Sequence, residues 1–314
     1  MASRDVKRFG LAILAAVVGG LSCHAAPNLF ALDPYSQSDP ANTSSSSWDL
    51  SQQGLTVAQL TPTPTNPLPP LTAPIEDLFE RKYWYLVLLD TKDVFTSPAR
   101  WSSRDWLIFG GIAAGIGTVA VFDEDIQHAI RRNRTGTLTT VFDNIQPLGN
   151  EYAIGIVGTF YLAGEIFKDP RAKATALDSI SASAIASGLI DNSLKYVVGR
   201  ARPTDNRGAY DFSPFSGRDS FASGHTTEAF ALASVISEHY QSPLVAVGAY
   251  GLASMVGYAR LNNNRHWPSD VLAGAAIGTY VGKTVVRFNQ KHRRLSLQPI
   301  VGPDFRGAQI ALAW

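Results

Sequence analysis

The chain has 314 residues, with 27 lysine or arginine residues against 26 aspartate or glutamate residues, and a formal net charge of +1 at pH 7. This near balance does not indicate a dedicated nucleic-acid-binding protein, and the basic stretches 131–134 and 291–294 are more typical of solvated helix ends than of a polyanion site. At this length the chain could form one large domain or two ordinary ones.

Residues 1–25 have the pattern of a secretory signal peptide. A basic segment precedes an apolar stretch at 9–21, and small residues follow it. The pattern predicts export to the periplasm or cell envelope. Cleavage at residue 25 would remove Cys23, the single cysteine, so the mature protein would depend on a buried core rather than on disulfides. Lipidation of Cys23 is the alternative, but Gly20 stands where a lipidation signal would have a large aliphatic residue.

Residues 26–74 are rich in serine, threonine, proline, asparagine and glutamine. The repeated prolines between Thr61 and Pro70 cannot sustain a helix, because proline lacks the amide donor and clashes with the preceding turn. The composition predicts an extended spacer that tethers the folded part of the chain to its processed N-terminus.

Apolar residues recur at helical spacing from Ile75 onward. Helices are predicted over residues 75–89, 152–167, 171–198, 225–239, 242–258 and 268–288. We therefore predict an all-α helical bundle over residues 75–292. The acidic run Asp123 to Asp125 is interpreted as the capped start of a helix, where the dipole favours negative charge. A metal site is the alternative, but no partner cluster accompanies the run.

Residues 293–314 differ from the rest, because strand-like stretches at 295–301 and 308–314 flank a turn that contains glycine and proline. This pattern predicts a short C-terminal β-hairpin. The aromatic last residue, Trp314, is also typical of the last strand of outer-membrane barrels, but one hairpin cannot close a barrel.

Two uncharged stretches, Trp106 to Phe122 and Pro243 to Ala259, raise the question of a membrane. Each has 17 residues, whereas a membrane-spanning helix needs about 20 apolar residues. Both are rich in glycine, alanine and serine, which favours closely packed core helices of a soluble bundle. Small residues also suit close packing inside membranes, so lipid-facing helices stay the alternative.

The first cluster with chemical potential contains Lys195, Arg202 and Pro203. Two helical turns separate the two cations, so a continuous helix would place both on one face, with Pro203 ending it. Lys195 can act as a point charge and Arg202 as a planar fork for two phosphate oxygens. Arg200 would point elsewhere and is left outside the site. By itself, such a pair is usually an ordinary helix surface.

The second cluster, Ser223-Gly224-His225, precedes an apolar helical pattern. Glycine lets the backbone approach a ligand closely, and the start of a helix offers unpaired amides to an anion. Ser223 can donate its hydroxyl group, and His225 would lie beside the bound anion. The alternative is helix capping by Ser223 next to an incidental histidine.

The third cluster contains Arg260, His266 and Asp270. Asp270 lies one turn beyond His266, at the start of a predicted helix. It can accept the proton on Nδ1 of His266, which leaves a lone pair on Nε2 and makes a neutral histidine a nucleophile. A solvent-exposed His–Asp pair at a helix start is the alternative.

In this order the three clusters resemble the three-part signature of the type 2 phosphatidic acid phosphatase (PAP2) superfamily, which includes lipid phosphate phosphatases, bacterial class A acid phosphatases and vanadium haloperoxidases. Two positions depart from the usual pattern. Ala222 stands where proline commonly precedes the Ser-Gly-His, and Ala259 replaces a serine that could donate a hydroxyl group. The resemblance implies catalytic roles for His266, His225 and Asp270, and phosphate binding by Lys195, Arg202, Ser223, Gly224 and Arg260.

The resemblance also implies metal-independent hydrolysis of a phosphomonoester or pyrophosphate. His266 would form a phosphohistidine that Asp270 orients, and His225 would protonate the leaving oxygen. No cofactor is implied, although phosphate or vanadate could occupy the site. The implied partner is a lipid phosphate or a small phosphate ester, with peripheral membrane contact through the first helix, and the oligomeric state is left open. The alternatives are a vanadium-dependent haloperoxidase and a non-catalytic binding module of the envelope.

Overall fold

A computed structural model of the chain describes residues 75–301 and 306–312, with side chains as far as residue 293. The predicted signal peptide at 1–25 and the spacer at 26–74 lie outside the described residues and stay predictions. The described part is a bundle of α-helices, so the predicted all-α class is confirmed.

Ten α-helices make up the bundle within the described residues. Their bounds are α1 Arg81–Thr96, α2 Ser103–Val121, α3 Asp123–Arg132, α4 Gly136–Ile145, α5 Glu151–Ile166, α6 Pro170–Ser183, α7 Asn192–Val198, α8 Gly224–Tyr240, α9 Pro243–Asn262 and α10 Pro268–Arg294. A π-helical segment, Ala184–Asp191, joins α6 to α7, and 3-10 turns occupy Ser97–Arg100, Gln146–Gly149 and Pro203–Asp205. After α10, strand β1 (Leu295–Val301) pairs antiparallel with β2 (Arg306–Leu312).

Several helix ends differ from the predictions. The first helix begins at Arg81 rather than near residue 75. The ninth helix continues to Asn262, which brings Arg260 into its last turn, where the helix dipole favours a cation.

The two helices α8 and α10 pack backbone against backbone along one stripe of glycines. Gly274, Gly278 and Gly282 recur every four residues of α10, one helical turn apart. A Cβ atom at Gly278 would lie 2.2 Å from the carbonyl oxygen of Thr227 in α8, so only glycine fits there. This close approach places the beginnings of α8 and α10 side by side.

Two clusters of buried apolar side chains form the core, one between α1, α6, α8 and α10 and the other between α8, α9 and α10, whereas α2 contributes to neither. Only 6% of an 18-residue apolar window of α2 is buried, against 39% of the corresponding window of α9. The prediction that residues 106–122 form a packed core helix is therefore wrong. Large apolar side chains of α2 are exposed, namely Trp106, Leu107, Ile108, Phe109, Ile112 and Val121. Within the described residues, α2 and α9 are the helices long and apolar enough to cross a membrane.

Candidate active site

The three clusters lie at one end of the bundle, where α8 and α10 begin and where α7 and α9 end. The backbone amide of Ser223 donates to the carbonyl oxygen of Asp270 at 3.1 Å. This bond holds the Ser-Gly-His segment against the first turn of α10, beside His266.

The ring of His266 is oriented by a backbone carbonyl. His266 is 2% exposed, and its Nδ1 lies 2.8 Å from the carbonyl oxygen of Ser220. A carbonyl can only accept, so Nδ1 carries the proton and Nε2 keeps the lone pair. Asp270 Oδ2 is 3.9 Å from Nδ1, which is too far for a hydrogen bond. The predicted direct bond from His266 to Asp270 is therefore wrong, although the predicted tautomer is the one that the carbonyl selects.

Asp270 instead fixes the segment that carries this carbonyl. Its Oδ2 accepts from the Ser220 hydroxyl at 2.6 Å and from the Trp267 amide at 2.9 Å. Burial raises the pKa of the Asp270 carboxyl to about 6, and the charge of Arg200 opposes that rise. Asp270 is thus a positioning residue, acting on His266 through Ser220.

The prediction that Arg200 lies outside the site is wrong, because its guanidinium group contacts Asp270, which positions His266. The side chain is 2% exposed, and its Nη1 lies 2.6 Å from Asp270 Oδ1. Its Nη2 lies 2.7 Å from Asp123 Oδ2. Two carboxylates on α3 and α10 therefore share one buried guanidinium group, a contact that the linear spacing of the motif could not reveal.

Asp123 does not cap its own helix. Its Oδ1 accepts from the backbone amide of Ser269 at 2.9 Å, so the carboxylate stabilises the start of α10 rather than that of α3. The neighbouring Glu124 accepts from the amide of Ala209 at 2.8 Å. The acidic run lies in the first turn of its helix, as predicted, but no side chain of the described residues caps that helix, and Asp123 and Glu124 make tertiary contacts instead.

Arg202 reaches the site from an extended segment and not from a helix. Gly199, with φ of +56°, ends α7 in a left-handed conformation that favours glycine. The prediction that Pro203 ends the helix is therefore wrong. Arg202 Nη2 is 2.6 Å from Asp219 Oδ2, a carboxylate that the sequence did not single out.

Lys195 is held by Asp191, one helical turn earlier. Its Nζ lies 2.7 Å from the buried Oδ2 of Asp191. An acid four residues before a lysine in an apolar segment is a signal that sequence reasoning could have used. A Cβ atom at Gly224 would lie 3.0 Å from Lys195 Nζ and 2.9 Å from Asp191 Oδ2, so this glycine lets the lysine approach the start of α8.

Ser223 is fully buried, and its side chain makes no capping bond to the helix that it precedes. Its Oγ accepts from the Thr226 hydroxyl at 2.9 Å. The alternative interpretation, capping by the Ser223 side chain, is therefore not what the structure has.

The same three cations lower the pKa of both histidines. Burial and then the charge of Arg260 lower the pKa of His225 to about 4, with smaller contributions from Lys195 and Arg202. Burial and then Arg260 and Arg202 hold the pKa of His266 well below its usual range. Charges act strongly only at short range, so these three cations lie near both rings, and together with burial they favour the neutral form of each imidazole.

Two of the cations have donors free for an anion. The buried Nε atoms of Arg202 and Arg260 have no hydrogen-bond partner within residues 75–293. Arg260 Nη1 donates to Gln146 Oε1 at 2.7 Å, which fixes the guanidinium plane. Buried donors without partners are costly, and a bound oxyanion would satisfy both.

Replacing Arg260 with glutamine is expected to raise the pKa of His225, because a positive charge that disfavours the imidazolium is removed. If His225 is the general acid, kcat/KM falls as pH rises above the pKa of the free enzyme. That falling limb should move to higher pH in the variant. Arg218→Gln, whose side chain pairs with Asp211, is the control that should leave the limb in place. A limb that stays fixed or moves to lower pH in Arg260→Gln would contradict the assignment.

Known proteins with similar sequences decide the family. The description "PAP2 superfamily" belongs to the family model that matches residues 177–294. A lipid A 1-phosphatase of Rhizobium etli is 34% identical over 202 residues, which are 58% of this chain and 82% of that protein. The chain belongs to the PAP2 superfamily. The family resemblance inferred from the three motifs is confirmed.

Other PAP2 relatives and structures cover different shares of the chain. A lipid A 1-phosphatase of Porphyromonas gingivalis is 34% identical over 177 residues, 55% of this chain but only 36% of that protein. The solved structure of LpxE from Aquifex aeolicus is 24% identical and covers 53% of this chain and 95% of its own, with a TM-score of 0.42. A transmembrane PAP2-type phosphatidylglycerolphosphate phosphatase from Bacillus subtilis is 25% identical and covers 59% and 94%, with a TM-score of 0.45.

Proposed function

We propose that this PAP2 protein hydrolyses the phosphate ester of a lipid at one face of a membrane. The observation that carries the proposal is that Arg202 and Arg260, whose charges act on both imidazoles together with that of Lys195, each keep a buried Nε donor without a partner within residues 75–293. Relatives named lipid A 1-phosphatase support a lipid phosphate as the class of substrate.

In the first step, Nε2 of His266 attacks phosphorus in line, and the bond between phosphorus and the ester oxygen breaks. His225 gives a proton to that oxygen, so the lipid leaves as an alcohol. The bound phosphate dianion would raise the pKa of His225 toward the working pH. The three cations and the amide of Gly224 stabilise charge on the phosphoryl oxygens.

In the second step, water attacks the phosphohistidine at phosphorus. Neutral His225 accepts a proton from this water, and the bond from phosphorus to His266 Nε2 breaks. Inorganic phosphate leaves, and both rings return to their starting states. Fixed cations neutralise the phosphoryl group, so the proposed reaction needs no metal ion, and vanadate would bind as an analogue of phosphate. Within residues 75–293, no group of three or more His, Cys, Asp or Glu side chains is arranged to hold a metal.

The length and exposure of α2 support a site at the surface of a membrane, where a lipid substrate would be. Its 19 residues span about 28 Å, close to the roughly 30 Å hydrocarbon core of a bilayer. Aromatic side chains stand near both ends, Trp101 and Trp106 at the start and Tyr210 at the end, as is typical of membrane interfaces. Tyr210 belongs to the loop that follows Arg202, so α2 ends at the same end of the bundle as the site. We therefore propose that α2 and α9 cross the membrane, rather than that the first helix makes only a peripheral contact.

Replacing Gly111 with arginine tests whether α2 is surrounded by lipid or by water. Nothing lies within 4 Å of a Cβ atom at Gly111, so the side chain causes no clash. In water the change should favour the helix by about 0.5–1 kcal/mol, whereas at the centre of a bilayer it should cost about 2.5–3.5 kcal/mol. We expect the yield of folded protein in the membrane fraction to fall several-fold or more.

Two controls accompany this variant. Gly111→Leu keeps the added bulk without the charge and should insert like the parent. Gly136→Arg adds the same charge at another glycine with an open Cβ position and should also leave the yield unchanged. If Gly111→Arg accumulates and folds like the parent, α2 does not lie in lipid.

The activity itself is tested with the full chain in detergent. Phosphate release is measured from a lipid phosphomonoester, from its phosphodiester counterpart and from p-nitrophenyl phosphate. The proposal expects the lipid monoester to be the best substrate and the diester to be inert. Oxidation of bromide by peroxide with vanadate, in place of any hydrolysis, would instead favour the haloperoxidase. The absence of hydrolysis over a broad panel of esters would favour the non-catalytic module.

A further inference from the structure

A polar cavity lies beside the cluster of catalytic side chains and has Arg260 in its wall. The cavity has a volume of 340 Å³, within the ordinary range for ligand pockets. Its lining residues are Arg134, Asp143, Gln146, Arg260, Asn263 and Arg265. Three guanidinium groups thus face one carboxylate, which gives the cavity a net positive charge.

The single carboxylate is already engaged. Asp143 Oδ1 accepts from the side-chain amide of Asn263 at 2.7 Å. Gln146 Oε1 accepts from Arg260 at 2.7 Å and from Asn263 at 3.2 Å, so its NH₂ group is left as a donor. Apart from Oδ2 of Asp143, the groups that remain for a ligand are therefore donors and cations.

The two outer arginines have no ion-pair partner within residues 75–293. Arg134 is held through its Nε, which donates to the Thr139 hydroxyl at 2.9 Å, and this leaves both terminal nitrogens for an acceptor. Arg265 directly precedes His266, and its backbone amide donates to the carbonyl of Arg260 at 3.0 Å. The turn after α9 therefore places one arginine toward the cavity and the next residue in the catalytic site.

The cavity is also joined to His225. Gly149, at the end of the 3-10 turn that contains Gln146, lies so close to His225 that a Cβ atom would be 2.4 Å from its carbonyl oxygen. One short turn thus contacts the backbone of the general acid and supplies a wall of the cavity. A ligand in the cavity would lie next to the group bound by Lys195, Arg202 and Arg260.

We propose that this cavity binds a second anionic group, a phosphate or a carboxylate, on the polar head of the same substrate molecule. The inference rests on the proposed function, because Arg260 would contact the phosphate that is cleaved and the anion that is not. Guanidinium forks suit such oxyanions, since each can donate two parallel hydrogen bonds. The preferred substrates are therefore lipids whose head carries two anionic groups.

The test compares two synthetic lipid phosphomonoesters with the same acyl chains and the same polar head, one of which bears a second phosphate. The double variant Arg134→Gln/Arg265→Gln should raise KM for the doubly phosphorylated lipid about tenfold, the usual scale for losing charged hydrogen bonds. Its KM for the singly phosphorylated lipid and its kcat for both should stay within about twofold. The control Arg131→Gln/Arg132→Gln removes the same charge from exposed positions of α3 that do not line the cavity.

Each outcome has a separate meaning. Equal effects of the double variant on both lipids would overturn the second subsite while leaving the phosphatase in place. The absence of phosphate release by the parent from either lipid would overturn the proposed function itself. Inorganic phosphate is added in a further arm. If it inhibits the parent on the singly phosphorylated lipid, and the double variant loses only that inhibition, the cavity binds free phosphate and not the substrate.

Discussion

The variant His266→Gln is expected to lower kcat by on the order of 10³-fold or more. The glutamine side chain can fill much of the buried space and keep a hydrogen bond to the Ser220 carbonyl, but it offers no lone pair that can attack phosphorus. Phosphate release from a lipid monoester is the direct measurement. A second readout is the covalent label left on the protein after a reaction with radiolabelled lipid phosphate is quenched. A phosphohistidine linkage is acid-sensitive and base-stable, and His266→Gln should abolish this label.

The control for this change is His128→Gln on the exposed side of α3, which should hydrolyse the lipid at the parental rate. Thermal unfolding in detergent shows whether the His266 variant is folded before its rate is interpreted. If a folded His266→Gln enzyme turns over within tenfold of the parent, another group is the nucleophile.

The variant Arg200→Met is expected to lower stability by about 3–5 kcal/mol, because it leaves Asp123 and Asp270 buried without their shared cation. The effect should appear as a lower midpoint of unfolding in denaturing detergent. Activity should fall with it, since Asp270 holds the segment whose carbonyl orients His266.

The matched control is Arg207→Met, which removes an exposed arginine 3.8 Å from Asp211 and should change stability by less than about 1 kcal/mol. Adding Asp123→Asn to Arg200→Met removes one of the two unpaired charges and should restore part of the stability. If Arg200→Met unfolds at the parental midpoint, the buried cluster of Asp123, Arg200 and Asp270 does not stabilise the fold.

The chemical types of the site could be predicted from the sequence, because Lys195, His225 and His266 stand at spacings that suit phosphate chemistry. The hydrogen bonds that position these residues could not be predicted from the sequence. The carbonyl that orients His266 belongs to Ser220, in an irregular loop with no apolar period, so no pattern indicates where that loop runs. Arg200 was excluded because a continuous helix would point it away, but Gly199 ends the helix just before it.

The prediction that residues 106–122 form a packed core helix failed for a different reason. Counting the uncharged residues from Trp106 gave a helix that looked too short, but α2 begins at Ser103 with polar residues that belong to its capped first turn. Burial also depends on which neighbours a helix finds in the fold. The small residues of α10 face α8, whereas those of α2 face outward.

The glycine stripe of α10 determines how closely the backbones of α8 and α10 approach each other. Because Gly278 leaves no side chain between the helices, main-chain atoms set the distance between α8 and α10. These atoms lie two to three helical turns from the beginning of α10, where the catalytic end of the bundle is. Rotamer changes cannot tune such a contact, so it behaves as a rigid spacer. Differences in the position of the catalytic side chains among related sequences would therefore have to come from the loops that carry Ser220 and Arg202, because the distance between the two helices is fixed.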